Sequence, residues 1–347
     1  MFTPKYNITN KILSNIGRIE AAAEVIRHSP LLPLWEKQFK DDAVVRAVHH
    51  GTHIEGNPLK KDEAKEILMG KEVIGRPRDI QEIINYRQVI EFIDEEAKKK
   101  IEKITEPLIK KLHRIIVNKI LAPEQMGEYR TKPVVVRNSQ TGEITFRPPP
   151  PIEVSYLMRD FLYWVNQTSN DQIHPVLKAG IAHHELVRIH PFIDGNGRVA
   201  RVLATLILFL GGYDIRRFFS LEEYYDRDAA SYYKNLQKAS AGDLTAWLEY
   251  FSYGAAYEFE KIKEKILKLS RDVKLKQKIG DQPIFLNERQ VKIVEYIQEV
   301  GYLQNKAFSI LFPDYSEDTV LRDIQELIKN NIIKKIGSTK AARYVMV

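Results

Sequence analysis

The chain has 347 residues, 44% hydrophobic and 29% charged, enough for two or three globular domains with their own cores. It has no cysteine, which excludes disulfide frameworks, thiolate nucleophiles and cysteine-held zinc or iron–sulfur centres. Its net charge of +7, from 53 Lys and Arg against 46 Asp and Glu, is too mild to mark a nucleic-acid binder by itself.

The first residues hold no apolar stretch of signal-peptide length. The most apolar run, 202–210, is far shorter than the roughly 20 residues that cross a bilayer. A cytoplasmic protein with no membrane partner is expected. Helical spacing dominates as far as about residue 280. The exception lies between Gly127 and Pro151. There Val134-Val135-Val136 and Ile144-Thr145-Phe146 flank the turn residues 138–142, and prolines 148–151 follow. This predicts a β-hairpin, which alone is marginal and so packs on something or clamps an extended ligand. Helices are predicted over 152–166, 175–189, 197–210, 224–239 and 244–270.

Residues 261–278 carry eight Lys or Arg against Glu264 and Asp272, a net +6. This reads as a solvated helix leading into a linker, with a nucleic-acid contact as the weaker reading. Gly280-Asp281-Gln282-Pro283 then breaks the chain and marks a domain boundary. Beyond it, Asn287 caps a helix to Val300, a short helix covers 305–312, and Ser316 caps a third with Leu321, Ile324, Leu327 and Ile328 on one face. Two β-rich stretches, 332–336 and 343–347, flank a turn at 337–340. Three helices and a hairpin resemble a winged helix. Its third helix offers Arg322, Gln325 and Lys329 to DNA, and its hairpin Lys334, Lys335, Lys340 and Arg343. With nine basic against eight acidic residues, a protein-contact or dimerisation module is the favoured reading over DNA binding.

The chemistry concentrates in His190-Pro191-Phe192-Ile193-Asp194-Gly195-Asn196-Gly197-Arg198-Val199-Ala200-Arg201. Gly195-Asn196-Gly197 is a tight turn opening a helix, where unpaired N–H groups and the dipole favour an anion. Arg198 and Arg201 are three apart and share a helix face. Both suit phosphate oxygens. Asp194 beside such a site would repel phosphate unless a cation such as Mg²⁺ lies between them. His190 can accept a proton near neutral pH. The HExxH zinc spacing fails, because Arg188 stands where the second histidine would follow His184-Glu185. The Walker A pattern is absent.

This string matches the Fic signature H-x-F-x-[DE]-G-N-[GK]-R-x-x-R at every fixed position, and the chain resembles that family over roughly residues 40–255. The resemblance implies a mainly α fold with a β-hairpin flap. It implies transfer of AMP from ATP to a Ser, Thr or Tyr hydroxyl of a protein target, this chain itself included. His190 would then be the base, and Asp194 would hold Mg²⁺. Gly195, Asn196, Gly197 and Arg198 would hold the α- and β-phosphates, and Arg201 the γ-phosphate. The hairpin would clamp the target by its main chain. Tyr232 and Tyr233 would lie near the adenine. Ser240 stands where the family has an asparagine.

A second family motif, [ST]-x-x-x-E-[GN], resembles Gly51-Thr52-His53-Ile54-Glu55-Gly56, with Gly51 at the Ser/Thr position. It implies that Glu55 inhibits by pairing with Arg201. The resulting layout is an N-terminal helical region with the inhibitory motif (1–95), a Fic core (96–257), a basic linker (258–283) and a winged helix (284–347). The expected function is a self-inhibited protein adenylyltransferase, homodimeric as is common among similar proteins. Two rivals are a nucleotide-sensing DNA-binding regulator and an enzyme that removes AMP by a water that Glu55 positions.

Overall fold

The computed structural model describes residues 1–29, 33–137, 144–167, 172–213, 218–277, 286–337 and 342–347. They form two compact units, Met1–Leu267 and Lys268–Val347. Secondary structure is mainly α, with two separate two-stranded hairpins. Among the described residues no helix is long and apolar enough to cross a membrane.

The first unit holds α1 (Asn10–His28), α2 (Pro33–His53), α3 (Lys61–Leu68), α4 (Pro77–Lys98), α5 (Glu106–Ile116), β1 (Val136–Arg137), β2 (Ile144–Phe146), α6 (Pro151–Val165), α7 (Pro175–Ile189), α8 (Asn196–Leu208), α9 (Leu221–Arg227) and α10 (Ala229–Ala239). Helix α11 (Thr245–Gln277) follows. Helices α7 and α8 pack on each other at the centre, and α5, α4 and α2 lie against α8. Helix α7 is buried along nearly its whole length, including Val176, Ile181, His183, His184 and Leu186. Its buried charge is paired, Glu185 with Arg188 at 2.7 Å. Trp247 of α11 seals the helix by donating its indole N–H to the Gly180 carbonyl at 2.7 Å.

Several expectations need adjusting. The predicted helix over 224–239 is two helices, because Asp228 leaves helical geometry and its carboxylate accepts the Ser231 N–H to cap α10. The helix after Gly197 passes at Phe209 into a wider π turn, Phe209–Tyr213, kinked inside at Gly212 with φ +83°. Two lysines of the basic run are engaged: Lys261 pairs with Glu223 at 2.6 Å, and Lys265 sits 4.4 Å from the Phe39 ring centre. Lys278 and the break at 280–283 lie outside the described residues.

In the second unit α12 (Glu288–Val300) begins at Asn287, whose side chain accepts from the Gln290 N–H while Gln290 reaches back. A 3₁₀ turn over Asn305–Ala307 and one turn of α13 (Phe308–Leu311) replace the single short helix expected there. Ser316 caps α14 (Glu317–Lys329). Strands β3 (Ile333–Ile336) and β4 (Arg343–Met346) pair antiparallel, and Leu303 bridges to Tyr344 as a third short partner. Ile293, Ile297, Phe308, Ile324, Leu327 and Tyr344 are buried. Arg322, Gln325, Lys329, Lys334, Lys335 and Arg343 are exposed, and Lys340 lies outside the described residues.

Candidate active site

The site is the turn between α7 and α8. His190 ends α7 in the left-handed region, φ 51°, which swings the chain off the helix axis. The His190 Nδ1 lies 3.2 Å from the Val187 carbonyl. A proton there leaves Nε2 as the lone-pair nitrogen. Burial pushes the imidazole pKa below its ordinary value, and the Val187 carbonyl only partly offsets this.

The turn is built from its own side chains. Asn196 accepts the Phe192 N–H at 2.8 Å and donates to the Phe192 carbonyl at 2.9 Å, so its buried side chain braces the loop. The expected phosphate contact from Asn196 is therefore left to its backbone N–H, one of those without an intrahelical acceptor at the start of α8. Phe192 is buried and stacks on His113, ring centres 3.9 Å apart. His113 Nδ1 accepts the Gly127 N–H at 2.8 Å, which puts its proton on Nε2, 3.1 Å from the Asp194 carbonyl. Burial lowers the His113 pKa to about 4, so the ring stays neutral.

Asp194 accepts the Gly195 N–H, and its carboxylate meets Arg78 at 2.8 Å and Arg198 at 3.4 Å. Burial alone would raise its pKa; Arg198, the Gly195 N–H and Arg78 outweigh that and hold it below the usual carboxylate range. The Arg198 guanidinium is buried and also pairs with Glu82 at 3.3 Å. Arg201 is buried as well, and its Nε and Nη1 have no hydrogen-bond partner. Its Nη2 donates to the Gly51 carbonyl at 3.0 Å and to Glu55 Oε1 at 2.7 Å.

The segment around Glu55 explains its own sequence. Glu55 follows the end of α2, and Gly56 turns the chain with φ +95°. Asn57 is buried and donates to the Asp79 carbonyl at 2.9 Å and to Glu82 at 3.2 Å, which anchors the turn on α4. Gly51 stands at the family's Ser/Thr position because a Cβ there would lie 2.5 Å from the Tyr86 ring. Gly197 is less constrained: a Cβ would meet Glu55 Oε1, the end of a flexible side chain, and stand 3.2 Å from Arg201 Nη1.

The two tyrosines part company. Tyr232 is 1% exposed, and its hydroxyl lies 2.9 Å from His183 Nε2. It is a core residue, closed to an adenine ring, contrary to the expectation. Tyr233 is 44% exposed and donates to the Ile54 carbonyl at 3.1 Å, beside Glu55. Ser240 donates to the Leu236 carbonyl at the end of α10. Sequence reasoning missed Arg130. This buried guanidinium donates to the carbonyls of His190 at 2.7 Å and Pro149 at 2.6 Å, and its own N–H to Pro191 at 2.9 Å. It ties the loop of His190 to the base of the β1–β2 hairpin. Only its place before the hairpin set it apart from the chain's other arginines.

Residues 103–208 match the Fic/DOC family, and residues 289–338 match the DeoR-like helix-turn-helix domain. The protein adenylyltransferase Fic of Drosophila grimshawi is 30% identical over 218 residues, 62% of this chain and 42% of that protein. The chain thus spans about two fifths of the length of the curated relatives it matches. Among solved structures, Fic-1 of C. elegans is 25% identical with TM-score 0.62, covering 76% of this chain and 73% of that one. A Fic family protein of Desulfovibrio desulfuricans shares the fold, with TM-score 0.67 at 22% identity over 100% of this chain and 98% of that one. Residues 103–208 are thus a Fic domain and residues 289–338 a DeoR-like helix-turn-helix domain.

Proposed function

We propose that the chain is a cytoplasmic protein adenylyltransferase that moves AMP from ATP to a Ser, Thr or Tyr hydroxyl of a protein and is held down by its own Glu55. One observation carries this reading. The turn 190–201 gathers a neutral imidazole, a carboxylate and two buried guanidinium groups at the N-terminal end of α8, and Glu55 reaches into that end. His190 Nε2 takes the acceptor's proton while its oxygen bonds to the α-phosphorus; the bond to the bridging oxygen breaks and pyrophosphate leaves. The N–H groups at the start of α8, with Arg198, hold the α- and β-phosphates. Arg201, once released by Glu55, takes the γ-phosphate. Tyr233 edges the base. The donor set at Asp194 suits Mg²⁺: one half-buried carboxylate that already attracts two cations, of which Arg78 is an exposed side chain able to swing aside. Mg²⁺ there would offset charge building on the leaving pyrophosphate. Val135 and Ile144, exposed on the hairpin, offer the target segment an apolar edge beside the main chain.

The test is incubation with each α-labelled nucleoside triphosphate and Mg²⁺, for wild type and Glu55→Gly, with mass spectrometry of labelled protein. Self-labelling would name the acceptor residue type. No labelling from ATP by either protein would refute the reading. Light scattering tests the homodimer that belongs to it.

Two other readings have an observation behind them. The Glu55 side chain remains 31% exposed, room for a water directed at an AMP-modified protein. The second unit exposes Arg322, Gln325, Lys329, Lys334 and Lys335, which suits DNA; retardation of DNA by the full chain, falling steeply with salt, is its signature.

A further inference from the structure

The last turn and a half of α2, just before Glu55, carries His49, His50 and His53, and α9 brings Asp226 against them. His50 Nδ1 lies 2.7 Å from Asp226 Oδ2, and His53 Nδ1 lies 2.8 and 3.0 Å from the two carboxylate oxygens. The His49 ring packs on both neighbours, its centre 4.6 Å from that of His50 and 5.4 Å from that of His53. One donor atom from each of His49, His50 and Asp226 falls within 4.8 Å of the other two. The His49 Nδ1 is buried and has no hydrogen-bond partner, although buried polar atoms are nearly always paired. AMP transfer uses none of these four residues.

We propose that His49, His50 and Asp226, with His53 on the solvent side, bind a divalent d-block cation of the zinc type, and that this ion pins the segment carrying Glu55. Two or three imidazole nitrogens with one carboxylate oxygen, and no thiolate, form a donor set that zinc accepts in four-coordinate geometry. Zinc bonds to nitrogen and oxygen of about 2.0–2.2 Å set tetrahedral donors roughly 3.4 Å apart, so the imidazole nitrogens hydrogen-bonded to Asp226 open slightly from it as the ion enters and His49 closes in. The unpartnered Nδ1 of His49 supplies one donor with no hydrogen bond to give up. Asp226 gives up its hydrogen bonds to His50 and His53 for bonds to an ion that both rings share. The nearby cation Lys61 works against binding, but its ammonium leans 3.5 Å from Asp42.

The ion would cross-link the end of α2 to α9. The chain between His53 and Glu55 is a single residue, Ile54, whose carbonyl is already held by Tyr233. The bearing on inhibition rests on the reading of Glu55 given above; the two readouts below do not. Full-length protein, stripped with a chelator and free of nucleotide, is titrated with Co²⁺ while its visible d–d absorption is recorded, and Zn²⁺ is then added as competitor. We expect intense four-coordinate bands that saturate at one equivalent, affinity on the order of micromolar or tighter, and displacement by Zn²⁺. Asp226→Asn and His49→Gln should each weaken binding by about tenfold or more. Circular dichroism and melting of the metal-free variants separate a lost site from a lost fold. Weak octahedral bands alone, or wild-type affinity in folded variants, overturns the site. In the second readout, Zn²⁺ slows amide hydrogen exchange over residues 49–56 in wild type and not in Asp226→Asn. Unchanged exchange in the zinc-loaded wild type overturns the pinning.

Discussion

Arg201 and Glu55 are unequal partners: the guanidinium is 1% exposed and the carboxylate side chain that meets it is 31% exposed. Arg201 is fixed in the core by α8, whereas Glu55 sits on a turn after α2 and can leave. Removing the carboxylate leaves a buried cation with one carbonyl partner, a state that favours an incoming anion.

Glu55→Gly should therefore raise AMP transfer. A misplacement of about 1 Å at the reacting phosphorus can cost on the order of 10²-fold, so relief of that order is expected. The double variant Glu55→Gly with Arg201→Ala should lose the gain. Initial labelling rates check both. An unchanged rate in Glu55→Gly would dismiss self-inhibition, and loss of AMP removal from a pre-modified protein would favour the reverse reaction.

His190→Ala should lower transfer by about 10²–10⁴ and leave ATP affinity nearly unchanged, because the ring acts on the acceptor proton. Calorimetric ATP binding beside labelling rates separates the two effects. Wild-type labelling in this variant would remove His190 as the base.

The pH profile follows from the same ring. Burial lowers the His190 pKa from an ordinary value of about 6.5, so the neutral, proton-accepting form persists as pH falls through that value. The acid limb of kcat/KM, measured on Glu55→Gly, should lie below about pH 6.5. An acid limb above it would point to a different base.

Asp194→Ala should abolish transfer together with its response to Mg²⁺. It also strips Arg198 of one of its two carboxylates and Arg78 of its partner at 2.8 Å. Asp194→Asn keeps the size and serves as control. A normal Mg²⁺ titration in either variant would count against Asp194 as the ligand.

Arg130→Met should lower both stability and rate. It orphans the half-buried carbonyls of His190 and Pro149, each worth up to about 1–3 kcal/mol when left unpaired. Thermal melting gives the first effect and labelling in the Glu55→Gly background the second. A variant that melts and labels like its parent would show that the loop of His190 holds its shape without Arg130.

Much of this was legible in the residues alone. Helix α7 lies at Pro175–Ile189 as its periodicity and flanking Pro predict, and Asn287 and Ser316 cap their helices. Caps are local, so a local reading finds them. The break at Asp228 was equally local and was overlooked inside a helical pattern. Tyr232, Asn196 and Arg130 were beyond reach for another reason. Their partners His183, Phe192 and Pro149 are fixed by the packing of α7, the loop and the hairpin, which spacing does not encode.

Gly197 gives the switch an evolutionary consequence. A side chain at this position would meet first the carboxylate of Glu55, the end of a flexible and partly exposed side chain, and then Arg201 Nη1 at 3.2 Å. A longer residue there, such as the lysine that the signature also allows, would press on the inhibitor and leave Arg201 in the core. A brake can therefore be loosened by drift from either side of the contact, at residue 197 as well as at Glu55.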